Sequence, residues 1–280
     1  MQTPDLERRA RVHAALGEPM RLAIVDRLAL ADAASGELGR GLGISTNLLA
    51  HHLRVLEDAG LIRRIRSEGD RRRTYVRLRL DDSIVAAVSA GSAWPWATSA
   101  NTVAPDISRW SAMTSAPRVV FVCTRNSARS QLAAAAWGRV SATPATSAGT
   151  NPAGRVHPRA VTVGRRHGLR LAGITTARTQ DVLRTDDLVV AVCDNAHEEL
   201  AQADAPARLH WSVPDPVRID TEAAFEAAYQ DLAVRVDRLA HAMTRTPSRP
   251  RRAPVPGYRR RPHTQGATND RDPQLGHAEP

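Results

Sequence analysis

The chain has 280 residues, and 42% of them are hydrophobic, which is enough to build two domains with separate cores. The formal net charge is +10, but all 39 basic residues are arginine, so the charge alone is weak evidence for nucleic-acid binding. Two cysteines, Cys123 and Cys193, cannot form a disulfide framework, and no run approaches the roughly 20 apolar residues of a membrane span. The first residues carry no apolar signal region. We therefore expect a cytoplasmic protein with reduced thiols and no membrane partner.

Residues 1–90 have the pattern of a small α+β domain that begins with helices. Apolar residues at helical spacing predict helices over residues 6–16 and 20–30 and a short helix from about Ser35. A longer helix is predicted from Ser45, a suitable N-cap, to Gly60. The leucines of this helix that we expect to face the core are Leu48, Leu49, Leu53 and Leu56. After it, LIRRIR and RRTYVRLRL flank SEGD, which predicts a hairpin with a charged tip.

The stretch LGISTNLLAHHLRVLEDAGLIRRIRSEGDRRRTYVRL resembles the ArsR-like winged helix-turn-helix repressors. The resemblance implies a homodimer that binds a double-stranded DNA operator through the helix that follows Ser45. Its candidate DNA-contacting residues are Ser45, Thr46, Asn47, His51 and Arg54, with Thr46, Asn47 and His51 expected at base edges. Eight arginines between Arg63 and Arg79, against Glu68 and Asp70, suit a wing laid along DNA phosphates. The wing candidates are Arg71, Arg72 and Arg73, and a merely solvated hairpin is the alternative.

Repressors of this family often sense metals or arsenite through cysteines, yet residues 1–122 contain none. The adjacent His51 and His52 fall on different helix faces, so we expect no metal site. A ligand signal would then have to reach the DNA-binding domain another way. One hypothesis is that oxyanion binding or the redox state at Cys123 changes the arrangement of that domain.

Residues 91–116 are rich in Ser, Ala, Thr and Pro and are predicted to be a linker. In residues 117–243, short apolar strands at 119–122 and 188–192 alternate with helical segments, which predicts an α/β domain with a parallel sheet in three layers. A last helix is predicted over 221–243. Residues 244–280 carry many Pro and Arg with almost no large aliphatic side chains, which predicts a disordered tail.

The stretch VVFVCTRNSARSQ runs a strand into Cys123 and then, after five residues, into Arg129 and Ser130. A loop between a strand end and a helix start directs backbone N–H groups toward one point, where a tetrahedral oxyanion fits. Arg129 adds a planar fork of donors, and the same field stabilises a thiolate at Cys123. Ser130 can donate to that thiolate, and Asn126 tolerates a left-handed turn. The bland alternative is a buried cysteine that only packs.

Residues 118–243 resemble the low-molecular-weight protein tyrosine phosphatases and the arsenate reductases that share their C-x5-R-S loop, here Cys123 to Ser130. The resemblance implies that Cys123 is the nucleophile and that Asp215 is the general acid. Cys193 falls at the position of the reductases' second thiol. The residues of the implied oxyanion site are Thr124, Arg125, Asn126, Ser127, Ala128, Arg129 and Ser130.

Two chemistries remain open after this resemblance. Cys193 favours arsenate reduction, because a phosphatase does not need a second thiol. The alternative is that Cys193 is only a buried strand-end residue. The third cysteine of the thioredoxin-coupled reductases is replaced by Leu200. With no bound cofactor expected, an external thiol (glutathione, mycothiol or a redoxin partner) would then complete the cycle. The sequence thus predicts an arsenic-responsive DNA-binding regulator fused to an arsenate reductase that binds arsenate or phosphate. The alternatives are a regulator with a non-catalytic oxyanion sensor, and a tyrosine phosphatase.

Overall fold

The computed structural model describes residues 3–90, 115–171, 175–201 and 208–244. The predicted linker lies outside these residues except at 115–116, and so does the predicted tail from residue 245 onward. No helix among the described residues is long and apolar enough to cross a bilayer.

The first domain consists of five helices and a three-stranded antiparallel sheet. Its elements are α1 (Thr3–Leu16), α2 (Pro19–Leu28), β1 (Ala33–Ala34), α3 (Ser35–Leu42), α4 (Thr46–Asp58), β2 (Ile62–Arg66), β3 (Thr74–Leu78) and α5 (Ser83–Ala90). The strand order is β1-β3-β2, so that β2 and β3 form the predicted hairpin and β1 pairs with the other edge of β3. This arrangement confirms the winged helix-turn-helix fold. The sequence patterns missed the two-residue strand β1 and helix α5.

Local chemistry sets the bounds of α4. The hydroxyl of Ser45 caps the helix by accepting the N–H of Leu48 at 3.4 Å, and Gly43 supplies the left-handed turn (φ 64°) that ends α3. The buried side chains of α4 are Leu49, His52, Leu53 and Leu56. These four residues follow the i, i+3, i+4, i+7 spacing of one helical stripe. The expectation that Leu48 faces the core was wrong, because it lies about 100° away from Leu49 and is 45% exposed.

The second domain is built on a four-stranded sheet. Its elements are β4 (Val119–Cys123), α6 (Arg129–Val140), β5 (Ala145–Gly149), α7 (Pro158–Arg166), α8 (Thr179–Val182), β6 (Leu188–Ala191), α9 (Asp194–Leu200), β7 (Arg208–His210), α10 (Pro216–Ile219) and α11 (Glu222–Thr244). The strand order is β5-β4-β6-β7 and every pair is parallel. The predicted α/β domain with a parallel sheet is therefore confirmed.

Strand β4 lies in the interior of the sheet, and all five of its residues are buried. A parallel strand covered on both faces reads as a continuous apolar run, which is how VVFV appears in the sequence. Phe121 packs between Trp137 of α6 and Trp211, with ring centroids 5.9 and 5.8 Å away. This core fixes the end of β4, and therefore the position of Cys123.

The two domains are packed against each other through buried polar groups. Leu30, which follows α2, belongs to the hydrophobic core of the second domain, and its carbonyl accepts the indole N–H of Trp211 at 2.7 Å. Asp32 bonds the guanidinium of Arg235 on α11, with no exposure of the carboxylate. Arg77 of β3 is 2% exposed and forms two 2.7 Å hydrogen bonds with Asp231. The DNA-binding fold is thus anchored on the α/β domain.

Candidate functional site

The loop from Cys123 to Ser130 joins the end of β4 to the start of α6. Its outer surface is tied to residues 149–157: the carbonyls of Thr124, Arg125 and Ser127 accept N–H groups at 2.8 Å each. Gly149 makes this approach possible, since a Cβ there would lie 2.8 Å from the Thr124 carbonyl oxygen. The loop carbonyls therefore point away from the centre of the loop.

Several N–H groups of the loop make no backbone hydrogen bond within the described part of the chain and can bind a ligand. Among the described residues, those of Arg125, Ser127 and Ala128 donate to no backbone carbonyl. They lie at the N-terminus of α6, a 12-residue helix whose dipole places partial positive charge there. Such an arrangement suits a tetrahedral oxyanion.

Cys123 is 2% exposed, and its Sγ is contacted by two polar groups. The N–H of Asn126 donates to Sγ at 3.2 Å, and the Ser130 hydroxyl lies 3.1 Å from it. Ser130 Oγ also accepts a hydrogen bond from the side-chain amide of Asn126 at 2.9 Å, so the hydroxyl hydrogen of Ser130 can be directed to the sulfur. Both contacts hold the sulfur at the floor of the loop.

Asn126 holds the loop in shape and is fully buried. It adopts the expected left-handed conformation, with φ 49°. Its amide nitrogen donates to Ser130 and Ser147, and its amide oxygen accepts from Gln131 and from the N–H of Ala177. Sequence reasoning predicted the backbone of Asn126 and missed these four partners, two of which, Ser147 and Ala177, come from distant segments.

Arg129 is 5% exposed, and its guanidinium has several partners. Nη1 donates to the Val213 carbonyl at 2.8 Å and to Glu68 at 3.1 Å, and Nη2 lies 3.3 Å from Asp215. Burial opposes the charge, but nearby thiolate and carboxylate groups outweigh burial and raise the pKa of Arg129. The arginine therefore stays charged, and one of the carboxylates that it faces, Glu68, was not foreseen by the sequence analysis.

Asp215 is positioned by its own helix and by Arg129. It is the N-cap of α10, where one carboxylate oxygen accepts the N–H of Val217 at 3.2 Å and the other lies beside Arg129. Its side chain is 21% exposed. The two residues for which the resemblance implies a general acid and an anion-binding arginine are thus in contact.

Cys193 follows β6, the neighbour of β4. Ala191, the last residue of β6, pairs with Val122 of β4, and Cys193 comes two residues later. The Sγ of Cys193 is 3.6 Å from the Thr124 hydroxyl. Both cysteines are buried and neither is in a disulfide. Burial raises the pKa of Cys193 to about 11, although the charge of Arg129 opposes this shift. Cys193 is therefore a protonated thiol near neutral pH.

The candidate DNA-contacting residues of the first domain lie on one surface. Ser45, Thr46, Asn47, His51 and Arg54 are all exposed at or near the N-terminal half of α4. His52, in contrast, is 6% exposed and faces Glu18 at 3.5 Å. Among the residues that the structure describes, no group of three or more His, Cys, Asp and Glu could hold a metal ion.

The hairpin between β2 and β3 is divided between two environments. Arg71, Arg72 and Arg73 are exposed, as a wing requires, whereas the tip at residues 67–70 lies on the second domain. Arg77, one of the eight arginines counted for the wing, is buried on Asp231 and cannot contact phosphates. The sequence analysis counted Glu68 only as one of two acids against the eight arginines of the wing. Glu68 is one of two acids at the tip of an arginine-rich hairpin, and this position in the sequence could have indicated a different role.

Comparison with known proteins identifies both parts of the chain. Residues 118–249 match the low molecular weight phosphotyrosine protein phosphatase family, and residues 16–65 match a helix-turn-helix domain. An arsenate reductase of Brevibacillus brevis is 30% identical over 127 residues, which span 44% of this chain and 92% of that protein. The chain belongs to the low molecular weight phosphotyrosine protein phosphatase family. Within it, this member is fused to an ArsR-like helix-turn-helix domain, as the sequence predicted.

Solved structures of an arsenate reductase and of a tyrosine phosphatase are similar to the second domain. An arsenate reductase from Archaeoglobus fulgidus is 26% identical, with 44% of this chain and 98% of that chain covered and a TM-score of 0.38. The tyrosine phosphatase Wzb from Escherichia coli K30, solved with sulphate, is 22% identical, with 45% and 96% covered and a TM-score of 0.39.

Proposed function

We propose that the protein is an arsenic-responsive DNA-binding regulator whose phosphatase-family domain is a thiol-dependent arsenate reductase. The observation that carries the proposal is a second buried thiol, Cys193, which follows the strand that pairs with β4. The 30% identity to an arsenate reductase supports the same choice. The DNA-binding part rests on the exposed surface of α4 in a helix-turn-helix domain.

The reaction begins with the thiolate of Cys123. Its sulfur attacks As(V) of an arsenate held by the loop N–H groups and Arg129, while Asp215 protonates the departing hydroxide, which leaves as water. A second thiolate then attacks Cys123 Sγ: an S–S bond forms, the S–As bond breaks, and arsenic keeps the electron pair and leaves as arsenite. Two thiols are oxidised by two electrons in total, and As(V) is reduced to As(III).

Two sources of the second thiol are available. Cys193 is one source: its Sγ lies 3.6 Å from the hydroxyl of Thr124, the residue after Cys123, but its pKa of about 11 means that it must lose a proton during the step. An external thiol, such as glutathione, mycothiol or a redoxin partner, is the other source. In either case an external thiol must reduce the resulting disulfide, because Leu200 takes the place of a third cysteine and is 7% exposed within α9.

A phosphatase is the second candidate, because the matching family is that of the phosphotyrosine phosphatases and because burial raises the pKa of Cys193, which makes it a poorer second thiolate. In that reaction water attacks the phosphorylated Cys123, and no electrons move. A non-catalytic oxyanion sensor is the third candidate. The contact between Arg129 and Glu68 favours it, since it joins the anion-binding loop directly to the DNA-binding domain.

Purified full-length protein would separate the three candidates. We expect arsenate to be converted to arsenite in the presence of glutathione, mycothiol or a redoxin system, and Cys123→Ser to abolish the conversion. Turnover of an aryl phosphate without arsenite formation would support the phosphatase, and binding without either turnover would support the sensor. Cys193→Ser identifies the second thiol: loss of arsenite formation with retained aryl phosphate turnover assigns that role to Cys193.

The regulatory part is tested with DNA. We expect the full chain to select a sequence-specific operator from a random duplex library as a homodimer, and arsenate to change its affinity for that operator. An affinity that is identical with and without arsenate would contradict arsenic responsiveness while leaving the reductase intact.

A further inference from the structure

The tip of the β2–β3 hairpin, residues 67–70, reaches the loop that the proposed function assigns to oxyanion binding. One oxygen of Glu68 accepts Nη1 of Arg129 at 3.1 Å, and the other accepts the N–H of Asp215 at 2.8 Å. The Glu68 side chain is 26% exposed and that of Arg129 is 6% exposed. A single carboxylate from the DNA-binding domain thus bridges the anion-binding arginine and the segment that carries the implied general acid.

A carboxylate on an arginine is chemically equivalent to two oxygens of a bound oxyanion. Nη1 of Arg129 already has two acceptors, Glu68 and the Val213 carbonyl, and Nη2 faces Asp215. An oxyanion that takes these donors has to replace Glu68, because two anions close together in a partly buried site repel each other strongly. Binding there is an exchange of anions on Arg129.

The tip is held on the second domain by three further hydrogen bonds, all accepted by carboxylates of α9. The Ser67 hydroxyl and the Asp70 N–H donate to Glu198 at 2.7 and 2.9 Å, and the Glu68 N–H donates to Asp194 at 2.9 Å. The backbone and the side chain of Glu68 are therefore held by different groups of the same domain. Moving the side chain away from Arg129 removes one of the supports of the tip.

The same hairpin carries the arginines that are predicted to contact DNA. Arg71, Arg72 and Arg73 begin three residues after Glu68, and all three are exposed. Any change at the tip is transmitted to them through a short stretch of backbone. Coupling between two sites is reciprocal, so a wing drawn onto DNA would also ease anion binding at the loop.

We propose that Glu68 is an internal ligand of Arg129 that an incoming oxyanion displaces, and that this displacement releases the wing tip from the phosphatase-family domain. The inference rests on the proposed oxyanion loop but not on the chemistry that follows binding. It assigns to Glu68 the role of linking the state of the loop to the DNA-binding hairpin, without any sensor cysteine in the first domain.

The first test is direct calorimetric binding of inorganic phosphate to the full-length protein, which requires no turnover. We expect Glu68→Gln to bind phosphate at least about tenfold more tightly than the unchanged protein. Glu57→Gln is the matched control, because it removes a carboxylate of the same domain that pairs with Arg64 on the surface, and we expect it to bind like the unchanged protein.

The outcomes are distinguishable. Equal affinity of Glu68→Gln and the unchanged protein would overturn the internal-ligand role and leave the oxyanion loop standing. Absence of phosphate binding in all three proteins would overturn the oxyanion loop and the inference together. Glu68→Asp, which keeps the charge on a shorter side chain, provides a second variant should the glutamine variant fail to fold, and we expect its affinity to lie between the other two.

The second test follows the release of the tip in the unchanged protein. The N–H groups of Glu68 and Asp70 are protected by Asp194 and Glu198, so saturating phosphate should accelerate their hydrogen exchange. The N–H of Arg79, which donates to Leu61 at 3.0 Å within the first domain, is the internal control. Unchanged exchange at residues 68 and 70 under saturating phosphate would refute the release of the wing tip.

Discussion

Replacement of Asn126 tests whether the shape of the cysteine loop depends on a single buried amide. Asn126→Ala removes four hydrogen bonds. Two of the groups concerned still have a partner: the Ser130 hydroxyl contacts Cys123 Sγ, and the Gln131 amide donates to the Thr175 carbonyl. Ser147 and the N–H of Ala177 lose the contacts that Asn126 supplied. At roughly 1 kcal/mol for each uncompensated group, the lost contacts destabilise the protein by about 2 kcal/mol. The left-handed φ of 49° adds about 1 kcal/mol for alanine.

Asn126→Gly separates the two contributions. Glycine adopts the left-handed conformation without a steric penalty, so this variant loses the hydrogen bonds alone. Urea unfolding followed by circular dichroism should therefore rank the free energies of unfolding as unchanged protein, then Asn126→Gly, then Asn126→Ala. The gaps should be about 2 and about 1 kcal/mol. If neither variant lost 1 kcal/mol, the anchoring role of the Asn126 side chain would be refuted. If the alanine variant were as stable as the glycine variant, the left-handed backbone contribution would be refuted.

Three further predictions concern the acid, the domain contact and DNA. Asp215→Asn should lower kcat for arsenate or aryl phosphate by about 10²- to 10⁴-fold with little change in KM, measured by steady-state kinetics. Burial opposes ionisation of Asp231, but two buried arginines outweigh it and lower the pKa to about 2. Its stabilisation, about 2 kcal/mol, should be present above pH 4 and lost as the pH falls toward 2. In urea unfolding, the free energy of unfolding of Asp231→Asn should be lower than that of the unchanged protein, and the difference should shrink as the pH falls. Asn47→Ala should relax sequence preference in operator selection, whereas Arg72→Ala should weaken all sequences alike and reduce the salt slope of binding by about 1.

Matched variants give these measurements their controls. Asp186→Asn removes an exposed carboxylate and should leave both kcat and the acid dependence of stability unchanged. Arg170→Ala removes an exposed arginine of the phosphatase-family domain and should not alter DNA affinity. If the loss in free energy of unfolding caused by Asp231→Asn stayed constant from pH 6 to pH 2, it would contradict the assignment of the Asp231 ion pairs.

The sequence was most informative where a local pattern determines the structure. The buried strand before Cys123, the capping Ser45 and the left-handed Asn126 are each set by neighbours within a few residues, and each was predicted. The leucines of α4 show the limit of periodicity, because four leucines were assigned to a stripe that accommodates three of them and His52. Contacts between domains escaped prediction altogether. Asp32 and Arg235 are separated by 203 positions, and no spacing rule connects them.

The buried contact between the domains also determines how the phosphatase-family domain can be studied. A fragment that begins at Pro117 would expose the indole of Trp211 and would leave Asp231 without Arg77. It would also present Arg129 without Glu68. Under the proposed role of Glu68, anion affinities measured on such a fragment would lack the internal competitor, so they would overstate how readily the intact polypeptide binds an oxyanion.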